Sequence, residues 1–102
     1  MGTFGELFKK YRLRAEFSTL SEFGSALAAK GLVYEDSIFS HWQCGKRLPK
    51  DRKVLLTVIE VFIERRAIIS FEGVNEFLES AGQGYLTERE KSDLNLLLFC
   101  FI

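Results

Sequence analysis

Between Ser37 and Pro49 the chain reads SIFSHWQCGKRLP. Its chemistry-bearing members are Ser37, Ser40 and His41, followed after a lone glycine by a run of cations, Lys46, Arg47, Lys50, Arg52 and Lys53. Short hydroxyl and imidazole groups donate and accept hydrogen bonds while letting a backbone come close to a partner. Clustered ammonium and guanidinium groups suit phosphate oxygens. Together they fit a duplex, with short polar groups toward base edges and cations toward the sugar–phosphate backbone. The competing reading of the cations is a solvated turn without a partner.

The same residues do not assemble an enzyme. His41 is the one histidine, and Cys44 and Cys100 have no CxxC spacing, so neither a zinc set nor a redox pair is written. No nucleophile has a base in view, and we expect no catalysis, no metal and no cofactor. His41 reads as an exposed polar residue, and the thiols as reduced and intracellular.

These groups need a scaffold, and 102 residues with 47% hydrophobic content suffice for one domain with its own core. The net charge of zero conceals an asymmetry. Residues 1–53 carry ten Lys/Arg against six Asp/Glu, a net +4, and the remainder carries four against eight, a net −4. MGTFGELFKKYR lacks the order of a secretory signal, and no apolar run approaches the roughly 20 residues that cross a bilayer, so a soluble chain is expected.

Apolar residues recur at threes and fours, with one proline and no hairpin signal, which predicts an all-α chain of five to six helices. Thr3-Phe4-Gly5-Glu6, Thr19-Leu20-Ser21-Glu22 and Thr87-Glu88-Arg89-Glu90 are capping boxes, opening helices near 4–15, 20–30 and from 88. Asp36 or Glu35 is expected to cap a helix that Gly45 stops; another begins near Asp51, and Ser70 caps one that ends at Gly82. The helix inside the opening stretch turns Ile38, Phe39 and Trp42 inward and Glu35, Asp36, Ser37, Ser40 and His41 outward. Trp42 is read as core rather than as a stacking platform for bases.

The run from Phe39 to Pro49, FSHWQCGKRLP, resembles the signature of the Cro/C1-type (Xre-like) helix-turn-helix regulators. Phe4–Arg12 is similar to that family's first helix, and Asn75–Gly82 with Leu86–Glu90 resembles the segment that follows the domain in some larger bacterial regulators. The resemblance implies a lambda repressor-like bundle with a helix-turn-helix core over 1–66 and a C-terminal helical extension over 67–102. It makes Trp42 the core anchor of a reading helix, Arg12 a buttress from the first helix, Ser40 and His41 groove-side residues, and Lys46 and Arg47 backbone contacts. The helical period adds Phe39 as a second anchor, and the DNA-binding reading adds Ser37 near bases and Lys50 on phosphates. Gln43 stands where the family has an acid, so any contact with Arg12 is to a neutral amide. The connection before the reading helix, Ala29 to Glu35, is longer than the family's tight turn.

The function expected is sequence-specific binding of double-stranded DNA by a bacterial or phage-type transcriptional regulator, cytoplasmic and nucleoid-associated. The apolar tail from Leu94 to Ile102 is expected to pack within the domain or across a homodimer through the C-terminal helices, which would match two half-sites. The alternative is the same fold used as a protein–protein interaction module or as the N-terminal domain of a larger regulator, with the acidic half over 54–102 or the apolar tail as its docking surface.

Overall fold

The computed structural model describes the backbone of residues 3–99 and side-chain surroundings as far as Leu94. Among the described residues six helices follow one another: α1 Phe4–Arg14, α2 Leu20–Ala28, α3 Asp36–Cys44, α4 Arg52–Glu64, α5 Phe71–Ser80 and α6 Glu88–Phe99. No strand occurs among the described residues, and the chain is a small all-α bundle.

Local chemistry sets the helix starts. The Thr3 hydroxyl accepts from the Glu6 amide while the Glu6 carboxylate accepts from the Thr3 amide, and Thr19 with Glu22 repeats the exchange. Thr87 and Glu90 complete a third such box, at 3.2 and 2.9 Å. Asp51 accepts from the Lys53 amide and Ser70 from the Gly73 amide. α3 departs from expectation: Glu35 is its N-cap but makes no side-chain cap bond, and Asp36 is already the first helical residue. Neither acid caps with its carboxylate. Asp36 instead gains from the positive end of the helix dipole, which needs no bond.

The ends of α1 to α5 share one device, in which the chain turns through a left-handed residue and amides fold back on carbonyls three and five positions earlier. Gly31, Gly45 and Gly82 supply that residue with φ of 94°, 84° and 76°. α1 and α4 use Glu16 (φ 67°) and Arg66 (φ 61°) instead. There Phe17 N–H reaches Arg12 O and Ala67 N–H reaches Phe62 O, at 3.0 and 2.8 Å. Those carbonyl contacts hold a conformation that costs a side-chain-bearing residue about 1 kcal/mol.

Aromatic rings knit the core. Phe4 stacks on Phe77 with centroids 4.9 Å apart, Phe8 meets Phe23 edge-on at 5.1 Å, Phe23 meets Phe39 at 5.1 Å, and Phe39 meets Trp42 at 5.3 Å. Phe62 of α4 touches Phe8, Phe23 and Phe77. Each such pair contributes about 0.5–1.5 kcal/mol beyond area burial. The helices after residue 66 thus share one core with those before it. Lys30 pairs with Glu64, tying the end of α2 to α4.

No helix among the described residues is long and apolar enough to cross a membrane. Leu94 is buried; for residues 95–102 the expectation that the apolar tail packs within the domain or joins two chains falls outside the residues whose side chains are described.

Candidate nucleic-acid interface

α3 is held from behind and open in front. Phe39 is fully buried and Trp42 nearly so, while Ser37 and Ser40 are exposed. The backing helix is α1, which comes close enough that Gly5 is indispensable at the crossing. A Cβ at Gly5 would lie 2.2 Å from the carbonyl oxygen of Gln43 and 3.0 Å from that of Trp42. Nothing in the motif named this contact; the available signal was a glycine inside an apolar helical stripe, which marks close backbone approach.

Arg12 reaches from α1 to the end of α3. Its side chain is buried, donates from Nε to Gln43 Oε1 at 3.3 Å, and donates from Nη1 to the Phe17 carbonyl at 2.7 Å. The amide acceptor makes the first bond neutral on one side, and therefore weaker than a carboxylate would. One cation thereby joins α1, the end of α3 and the α1–α2 connection.

The basic elbow follows α3 directly. Gly45 turns through its left-handed conformation so that the amides of Lys46 and Arg47 both donate to the His41 carbonyl, at 2.9 and 3.3 Å. Pro49 is buried, and Lys46, Arg47 and Lys50 are exposed around an open hollow lined also by Gly45 and Leu48. Among the described residues none of these three cations has an ion-pair partner. Lys53, on the first turn of α4, is also exposed.

Two residues differ from the outward-facing arrangement expected. His41 is half-buried, with Nδ1 sequestered and without a hydrogen-bond partner. Its position on the helix turns it partly toward the body of the protein rather than fully to solvent. Arg52, counted among the elbow cations, is turned inward. Its Nε and Nη2 donate to the two carboxylate oxygens of Glu90 at 2.9 and 2.7 Å, and Nη1 and Nη2 donate to the carbonyls of Gly84 and Tyr85 at 2.9 and 3.0 Å. Glu90 is held down to about 2, chiefly by the Arg52 hydrogen bonds, with help from the Thr87 amide and against the effect of burial. Arg52 is thus a clamp between α4 and α6, its charge already neutralised.

Glu35 and Asp36 are exposed at the leading end of α3. The front of the helix therefore runs from carboxylates through serines to cations. Among the described residues no group of three or more His, Cys, Asp or Glu side chains is positioned to hold a metal. Cys44 is exposed, and its thiol faces the His41 carbonyl at 3.7 Å.

No protein-family model, no curated protein and no solved structure matches the chain.

Proposed function

We propose that the protein binds double-stranded DNA, with α3 lying in the major groove and the elbow after it on the phosphates, as a bacterial or phage-type transcriptional regulator of the Xre-like kind. The observation that carries the reading is an amphipathic helix fixed by Phe39, Trp42, Gly5 and Arg12, exposing Ser37 and Ser40, and followed at once by three unpaired exposed cations. Small hydroxyls on the outer face allow the helix backbone to approach base edges in a groove roughly 12 Å wide. Lys46, Arg47 and Lys50 supply the attraction that is independent of sequence and fix the register. His41 contributes less to the groove than its position in the motif implies, since it is half-buried. Glu35 and Asp36 are repelled by phosphate and tolerated at bases that offer an amino donor, as cytosine does. A cytoplasmic, nucleoid-associated location belongs to the same proposal, as does the absence of catalysis.

The test is a salt titration of binding to duplex DNA by fluorescence anisotropy. Affinity should fall steeply with salt, and Arg47→Ala with Lys50→Ala should flatten the log–log slope by about two units, near 0.9 for each phosphate left without its cation. Binding that is absent at low salt, or indifferent to salt, overturns the reading.

A further inference from the structure

The outer face of α5 is as strongly acidic as the elbow is basic. Glu72, Glu76 and Glu79 are exposed at spacings of four and three, which aligns them along one side of the helix. With Asn75 and Tyr85 they line a shallow hollow. Two hydrogen bonds fix its lining: Asn75 Oδ1 accepts from the Leu86 amide at 2.8 Å, and Tyr85 Oη donates to Glu79 Oε2 at 2.9 Å. Tyr85 remains 59% exposed, leaving an apolar ring beside the acids. Among the described residues none of the three glutamates forms an ion pair.

We infer that this α5 face docks the Lys46–Lys50 elbow of a second copy of the chain, so that two copies pair reciprocally. The occupant is argued from complementarity on both counts. Against three aligned acids and an exposed aromatic ring, the elbow presents three unpaired cations around Leu48, itself 41% exposed. The two patches are neighbours on one molecule. Gln83 Nε2 donates to the Lys50 carbonyl at 3.1 Å, and Leu48 and Ser80 line a common hollow. A two-fold axis beside that junction brings each elbow onto the other chain's α5, which closes the pair and leaves no open end to grow a filament. The zero net charge adds no long-range repulsion between copies. Exposed ion pairs are individually weak, so the pair is low-affinity and dissolved by salt. A consequence, resting on the DNA reading above, is that pairing hides the elbow and phosphate competes with α5 for it.

Sedimentation equilibrium of the protein at ~20 mM and ~500 mM salt tests the contact without DNA. The mass should approach twice the 11.7 kDa monomer at low salt and return to it at high salt. Glu72→Lys with Glu76→Lys, and separately Lys46→Glu with Arg47→Glu, should each give monomers, and their equimolar mixture should pair again. The same charge reversal at Glu16, which lines neither patch, should leave pairing intact. A wild-type monomer at low salt, a pair that resists salt, or a mixture that stays monomeric overturns the inference. A random-sequence duplex then separates the two proposals. Wild-type pairing with no DNA binding by the α5 variant refutes the DNA reading alone, and DNA binding by a wild-type protein that never pairs refutes the self-docking alone.

Discussion

Replacing Gly5 by alanine tests the mutual placement of α1 and α3 through the sign of a single number. By intrinsic propensity the change should help, since alanine is favoured over glycine in a helix by about 1 kcal/mol. The geometry argues the reverse. The added carbon would stand 2.2 Å from Gln43 O and 2.9 Å from Gln43 C, both backbone atoms that no rotamer change can move. Relief requires the two helices to part by about 1 Å where they cross, and overpacking of that kind costs roughly 1–3 kcal/mol. The separation also lengthens the Arg12–Gln43 bond, already 3.3 Å. Because the blocking atoms are backbone, the cost lies at the upper end, about 3 kcal/mol. Subtracting the propensity gain of about 1 kcal/mol leaves a net loss of about 2 kcal/mol in urea unfolding followed by circular dichroism. Under the DNA reading, a loss of affinity should exceed what the unfolded fraction explains. A Gly5→Ala protein as stable as wild type, or more so, refutes the close crossing of α1 and α3.

Other expectations follow from single bonds and dihedrals. Gln43→Glu turns the Arg12 bond into a charge-assisted one and should raise stability by about 0.5–1.5 kcal/mol in the same assay, provided the salt is low. Glu90→Gln should destabilise by about 1–3 kcal/mol at neutral pH. Because the Glu90 carboxyl titrates near 2 in the fold against an ordinary 4.5, its contribution is complete above about pH 4.5 and is lost as pH falls toward 2. The wild-type and Glu90→Gln unfolding curves should therefore converge in acid. Glu16→Gly relieves a left-handed conformation, φ 67°, at an exposed helix end and should stabilise by about 0.5–1 kcal/mol, read as a rise in Tm. Arg52→Ala should lower stability through the loss of its Glu90, Gly84 and Tyr85 bonds while leaving the salt dependence of DNA binding unchanged, the reverse of Lys50→Ala.

What could be read from the chain was local. Capping boxes place two complementary side chains three residues apart, so Thr3–Glu6, Thr19–Glu22 and Thr87–Glu90 declare themselves in any four-residue window. The apolar stripe of α4 and the inward turn of Phe39 and Trp42 are likewise consequences of the helical period. What could not be read depended on distant partners. Arg52 looks like an elbow cation until Glu90, 38 positions away, takes two of its donors. Glu35 and Asp36 have the composition of a cap, yet the backbone enters α3 without their carboxylates. Glu16 and Arg66 end helices where sequence habit wants glycine, because fold-back bonds from Phe17 and Ala67 outweigh the strain. His41 falls on the boundary between the two faces of α3, where periodicity does not decide how far it turns inward.

The chain holds a single tryptophan, and its ring sits edge-on to Phe4, Phe8 and Phe39 where the proposed reading helix meets its support. That makes the molecule its own optical gauge. Native emission should be blue and shielded from dissolved quencher. A ligand that tilts α3 changes the colour of the light before any label is attached, whereas one that touches the elbow alone leaves it as it was.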